Sequence, residues 1–289
     1  MDSVLQFWRS FISNILSELG NFSLSDWFDV KKTNVLVFVI IFCFLILYFI
    51  YHAKRGKSFF IRRIAGLEAV DEAIGRATEM GRPILYVPGL SGLSDVATIA
   101  AINILGKVAE KTAEYDTRLI VPCRDPLVMT IQQEVVKNAY INKGRPDAFK
   151  AEDIFFITDS QFGFVAAVDG LMVREKTATN FYMGMFWAES LLLAETGNIT
   201  GAIQIAGTDA VAQLPFFITA CDYTLIGEEL YAASAYLSRE PLLLGALKGQ
   251  DYSKFILLVL IVLGVVFATL TVTCCTDKFS WFMDLFNIR

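Results

Sequence analysis

The sequence holds a single histidine in 289 residues. That excludes the Ser-His-Asp and Cys-His arrangements of nucleophilic catalysis, HExxH zinc sites and His/Cys/Cys deaminase sites. The one histidine, His52, ends a long apolar run and is expected among lipid headgroups with the aromatic residues there. Charge is scarce too: 19% of residues are charged and 55% hydrophobic, against about 25% and about 45–50% in ordinary soluble domains. A mean hydropathy of +0.50 argues against a disordered tail or an ordinary soluble enzyme. Net charge is −5 with no long basic run, so the footprint of a nucleic-acid partner is missing. The five cysteines form no CxxC and give no metal motif. Cys43, Cys274 and Cys275 fall in or beside apolar runs and read as small apolar residues. Cys123 sits in PCRDP beside Arg124, where a nucleophile and a buried structural thiol both fit; the structural one is expected.

What is abundant is apolar sequence, and it is concentrated. Val35–Tyr51 is unbroken, and Phe255–Cys275 carries no charge over its length. A bilayer core about 30 Å thick needs about 20 such residues in a helix. Two spans are therefore expected, at 33–53 and 255–275, the first too long and too far in to be a cleavable signal peptide. Lys54, Arg55, Lys57, Arg62, Arg63, Lys248 and Lys254 flank the middle segment, against Lys31, Lys32, Lys278 and Arg289 on the other side. The bias expects a two-pass cell-membrane protein with its middle segment cytoplasmic and both termini outside. Residues 1–30 and 277–289 are aromatic-rich and amphipathic, which suits the lipid–water interface.

Residues 60–250 are long enough for one domain with its own core. Six short apolar runs, Pro83–Val87, Arg118–Pro122, Asp153–Thr158, Asn180–Met185, Ala202–Ala206 and Ala220–Ile226, alternate with helical patterns. Runs apolar on both faces are typical of buried parallel strands. The expected fold is α/β: a doubly wound, mostly parallel, Rossmann-like sheet inserted between two transmembrane helices.

In such sheets ligands bind beyond the carboxyl ends of the strands. VPGLSGLSD follows the first strand; Gly89, Ser91, Gly92 and Ser94 could offer backbone amides to a phosphate or carboxylate at the helix N-terminus, with Asp95 also among the residues expected to contact it. It is not a GxGxxG, a Walker A or a GxSxG elbow, and a tight turn with Ser94 or Asp95 as helix cap is the expected reading. Asp125, Asp159, Asp209 and Glu228 end other strands and would converge as an acidic cleft for Mg²⁺, a cation or a polyhydroxyl ligand, or act as caps. No catalytic residue, metal ligand or cofactor is assigned. Phe181–Trp187, Leu214–Tyr223 and Glu229–Leu237 are rich in aromatic and small residues; whatever they leave exposed marks subunit contacts.

GRATEMGRPILYVPG at 75–89, LIVPCRDPLVMTIQQEVV at 119–136, DSQFGFVAAVDGLMVREKTATNFYMGMFWAES at 159–190 and IQIAGTDAVAQLPFFITACDYTLIGEELYAASAYL at 203–237 carry a resemblance. Over Phe60–Leu247 the chain resembles an uncharacterised family of prokaryotic membrane proteins known only as a domain of unknown function. The resemblance implies a membrane-linked domain and carries over no active-site residue. Self-assembly into a homo-oligomer on the bilayer is the expected role. The alternative is a membrane-tethered sensor or enzyme for a nucleotide or phosphosugar at the strand ends, and transport ranks last.

Overall fold

The computed structural model describes residues 33–56 and 65–274. The amphipathic segments expected at 1–30 and 277–289 lie outside the described residues. The chain forms two compact units that divide between Leu244 and Gly245.

The first unit contains helix α1 (Thr33–Lys54), and the larger unit starts with α2 (Ala65–Met80). Strand and helix then alternate as β1 (Ile84–Pro88), α3 (Val96–Tyr115), β2 (Leu119–Cys123), α4 (Pro126–Asn142), β3 (Ile154–Phe156) and α5 (Gln161–Glu175). The second half repeats the alternation as β4 (Thr179–Met183), α6 (Glu189–Thr200), β5 (Ile203–Thr208), α7 (Leu214–Ala220), β6 (Tyr223–Ile226) and α8 (Glu229–Ser238). The last helix, α9 (Pro241–Cys274), runs into the first unit.

The six strands form one all-parallel sheet in the order β3-β2-β1-β4-β5-β6. This is the doubly wound Rossmann order, which reverses direction between β1 and β4. Alternation along each strand feeds two separate cores. Ile84 and Tyr86 of β1, Val121 and Cys123 of β2, and Phe181 and Met183 of β4 pack beneath α2, α3, α4 and α8. Leu85, Val87, Ile120 and Tyr182 face the other way and meet Phe164, Val168 and Met172 of α5, Leu193 of α6 and Phe217 of α7. Both faces of the sheet are thus covered, which is why these strands read as continuous apolar runs.

The two buried strand tyrosines within those cores are paired. Tyr86 donates its hydroxyl hydrogen to Ala101 O at 2.6 Å. On the other face Tyr182 Oη lies 3.0 Å from both Leu193 O and Gln204 Oε1. Gln204 in turn donates through Nε2 to Ala194 O and Ala220 O. Gly197 of α6 packs directly on this network, and a Cβ there would overlap Gln204 Oε1 and stand 2.7 Å from Tyr182 Oη.

In its described residues the smaller unit is an antiparallel helical pair. By length and composition α1 and α9 are each long and apolar enough to cross a membrane. Their approach is set by two glycines one turn apart: a Cβ on Gly245 would stand 2.5 Å from Ile50 Cα, and one on Gly249 would stand 2.8 Å from Ile46 Cα. Small residues four apart let helix backbones meet where no hydrophobic effect drives them together. Ser253 continues the stripe, buried, with its hydroxyl donated to Gly249 O at 2.8 Å.

Gly197→Ala separates intrinsic preference from packing. Alanine is the better helix former by about 1 kcal/mol, yet here it is expected to destabilise the domain by about 1–3 kcal/mol through overpacking. Chemical denaturation measures this, and a gain in stability would refute the packing assigned to Gln204 and Tyr182.

Candidate functional site

In a parallel sheet every strand-to-helix connection emerges at one edge, so the carboxyl ends of the strands gather all six such loops. The loops after β1 and β4 flank the topological switch point, where this fold class usually leaves a crevice for a ligand. Here the crevice is closed by direct backbone pairing. Gly89 donates its N–H to Met183 O at 2.7 Å, and Leu90 donates to Met185 O at 2.8 Å. Approach this close requires glycine: a Cβ on Gly89 would overlap the Met185 backbone nitrogen. Gly184 opposite has φ of +124°, a conformation side chains rarely tolerate, and its own Cβ would stand 2.7 Å from Gly89 N. The Gly89 and Leu90 amides, which would cradle an anion, are therefore already bonded.

Arg124, at the end of β2, binds three loops together. It donates through Nη1 to Leu90 O at 2.9 Å and through Nε to Asp159 O at 2.8 Å. Its guanidinium lies 5.8 Å from the centre of the Trp187 ring. Trp187 is placed by Glu189, whose buried carboxylate accepts from Trp187 N–H at 2.6 Å and from the Gln161 side-chain amide. Ser190, also buried, donates to Trp187 O at 2.9 Å and lies 2.8 Å from Gln213 Oε1. Sequence reading passed over Arg124 as a tie, Glu189 and Gln213, because their partners are distant in the chain.

The residues singled out from the sequence fall into two groups. Gly92 backs onto Asp125: a Cβ on Gly92 would stand 3.2 Å from Asp125 Oδ2. Asp125 caps α4, accepting from Leu127 N–H at 2.7 Å and more weakly from Val128 N–H. Ser91 contributes a backbone carbonyl that accepts from Thr98 Oγ1 at 3.2 Å. Asp159 is exposed, and it is its backbone oxygen, not its carboxylate, that meets Arg124. In the second group Asp95 caps α3, accepting from Ala97 N–H at 3.0 Å. Asp209 accepts from the Tyr231 hydroxyl at 2.6 Å through Oδ2, while its Oδ1 is buried without a hydrogen-bond partner. Burial, the Asp209 hydrogen bond and the Asp209 and Asp95 charges together hold the Tyr231 hydroxyl well above its ordinary pKa. Glu228 stands exposed at the start of α8.

Capping roles limit what these carboxylates can do for a ligand, since releasing an Asp cap costs about 1 kcal/mol of helix stability. Among the described residues no group of three or more His, Cys, Asp or Glu is placed to hold a metal ion. Cys123 is buried and donates its thiol hydrogen to Gln132 Oε1 at 2.9 Å; burial and the Asp125 charge push its pKa to about 12. Burial and the Asp222 charge push the Cys221 thiol to about 12 as well. Neither thiol is an activated nucleophile.

The edge is apolar in a way that sequence alone did not reveal. Large hydrophobic side chains stand exposed around it in the first turns or loops after five strands: Val96 (60%), Leu127 (68%), Phe162 (59%), Trp187 (40%) and Val211 (77%). The opposite edge is ionic. There Arg118 bonds Asp153 at 2.7 Å and Glu175 at 3.1 Å, Lys143 bonds Glu114 at 3.1 Å, and Arg145 bonds Asp116 at 2.9 Å. Phe181, Tyr182 and Phe186 are buried in the core, whereas Phe216, Ile218 and Tyr223 remain exposed.

The family model described as "Domain of unknown function (DUF6754)" matches residues 23–279. No curated protein and no solved structure matches the chain.

One carboxyl outside the edge titrates near neutrality. Burial between α5 and α6 lifts Asp169 to about 6, opposed by a hydrogen bond from Thr196, and its Oδ1 has no partner. In the unfolded chain the group returns to about 3.9. The folded state therefore holds the proton more tightly, so its stabilising effect is complete below pH ~4 and lost as pH rises through ~6. Asp169→Asn is expected to raise the thermal midpoint at pH 7.5, with the gain fading between pH 6 and pH 4; a pH-independent difference would contradict the assignment.

Proposed function

The chain belongs to that family of unknown function, and on its own residues we propose that it is a membrane-anchored building block that assembles with copies of itself. The role is structural, and the carboxyl edge of the sheet is one contact surface. The observation that carries this reading is the exposed apolar rim of Val96, Leu127, Phe162, Trp187 and Val211, set on an edge whose crevice is bonded shut. Apolar surface of this kind on a folded domain marks a contact with another protein. Two apolar helices supply two anchors. The Lys and Arg excess on the domain side of the apolar runs, Lys54, Arg55, Lys248 and Lys254 among them, favours a cytoplasmic domain and outward termini.

A second reading keeps a small-molecule site at Asp209, Asp95 and Tyr231, for the hydroxyl-rich part of a nucleotide or phosphosugar. The buried, unpartnered Asp209 Oδ1 favours it. A thermal-shift series with nucleotides and phosphosugars tests this: a response abolished by Asp209→Asn would establish the site, and no response in the wild type would remove it.

Light scattering on the full chain in mild detergent tests the first reading. The wild type is expected as a multimer, and Leu127→Glu with Val211→Glu is expected to weaken association at least about tenfold while the fold is retained. A monomeric wild type would contradict self-assembly, and a double variant that assembles unchanged would remove the carboxyl edge from it.

A further inference from the structure

A cavity of about 160 Å³ lies at the amino edge of the sheet, among the end of α3, the end of α4 and the starts of β2 and β3. Buried Leu119, Val136 and Ile154 form its apolar wall, with partly buried Phe149 beside them. For scale, an apolar cavity of about 150 Å³ holds a benzene ring. The space therefore suits a ligand with a short aliphatic body, and small-molecule sites combine such a wall with a few placed polar groups.

Polar groups are built into this wall. Tyr140 is 6% exposed and Asp153 7%, and both line the cavity. The Tyr140 hydroxyl reaches only Thr112 Oγ1, at 3.5 Å, beyond the roughly 2.5–3.0 Å of a working O–H···O bond. Burial first, and then the Asp153 and Asp116 charges, hold that hydroxyl above its ordinary pKa, so it stays a donor. Asp153 accepts from Arg118 through Nε at 2.9 Å and Nη2 at 2.7 Å, and both bonds go to Oδ1. Its Oδ2 is left to accept from a ligand. Arg118 also bonds Glu175 at 3.1 Å. Two carboxylates thus share one guanidinium, which leaves an excess of negative charge beside the cavity. At the mouth, exposed Asp116 is matched by Arg145 at 2.9 Å, whereas exposed Lys150 forms no ion pair among the described residues.

We propose that this cavity binds a small aliphatic α-amino acid as its zwitterion. The ligand ammonium donates to Asp153 Oδ2. Its carboxylate accepts from the Tyr140 hydroxyl and pairs with Lys150, and its side chain lies against Leu119, Val136 and Ile154. Charge decides for a zwitterion over its halves. An amine would leave Lys150 unanswered, and a carboxylate alone would sit beside the excess negative charge of Asp153 and Glu175. The site lies at the edge opposite the apolar rim, so it does not depend on self-assembly.

Titration calorimetry of the full chain in mild detergent at pH 7.5 tests it with L-leucine, beside isocaproate, which lacks the ammonium, and isopentylamine, which lacks the carboxylate. L-Leucine is expected to bind at least about tenfold more tightly than either half. Lys150→Met and Tyr140→Phe are each expected to weaken L-leucine about tenfold. Lys150 is exposed, so its replacement tests the charge without disturbing the core. No binding of L-leucine by the wild type would overturn the proposal, as would either half binding as tightly as the whole. Binding that both variants leave unchanged would place the ligand elsewhere and overturn it too.

Discussion

Two backbone hydrogen bonds, from Gly89 to Met183 and from Leu90 to Met185, control what the carboxyl edge of this domain can be. They join the loops after β1 and β4 where the sheet changes winding direction, the place where a doubly wound fold ordinarily opens. Once those loops are joined, the Gly89 and Leu90 amides are satisfied and Gly89 and Gly184 are packed against backbone, so these two amides are not offered to an anion. The neighbouring side chains follow. Arg124 lies across the closed seam on Leu90 and Asp159, and buried Glu189 fixes Trp187 beneath the guanidinium. A buried carboxylate is costly to retain without hydrogen bonds; here its two oxygens take one donor each, which makes Glu189 a positioning residue for the rim.

The same edge supplies the apolar rim, and the contrast with the other edge is chemical. Parallel topology sends every strand-to-helix loop to one side and every helix-to-strand loop to the other. On the first side, exposed Leu127 and Val211 stand near helix starts already capped or turned by Asp125 and Thr208. On the second, Arg118, Lys143 and Arg145 pair with acids on neighbouring elements. Exposed ion pairs add little stability, but they keep that edge wet. In the helical pair the glycine stripe fixes the register of α9 against α1.

Much of the fold was legible before the structure. The six strands lie within a few residues of the six apolar runs, because strands buried on both faces must be apolar throughout. Asp95 and Asp125 act as the helix caps their positions suggest. Asp209 caps no helix: the next one begins at Leu214, after a turn at 211–213 and with Pro215 in its first turn. The closure of the switch point was not legible. Gly89 and Met185 are 96 positions apart in the chain, and nothing local distinguishes a glycine that admits a ligand from one that admits a backbone. Gly245 and Gly249 were likewise hidden in a polar-looking stretch, because small residues declare themselves only when the facing helix is known.

Hydrogen exchange on the full chain in membranes, without added ligand, tests the closed switch point most directly. The Gly89 and Leu90 amides are expected to be protected as strongly as those of Ile205 and Ala206 in β5. Exchange of Gly89 and Leu90 as fast as that of the turn at Gly144 would mean an open crevice, and would contradict the account of this edge as a contact surface.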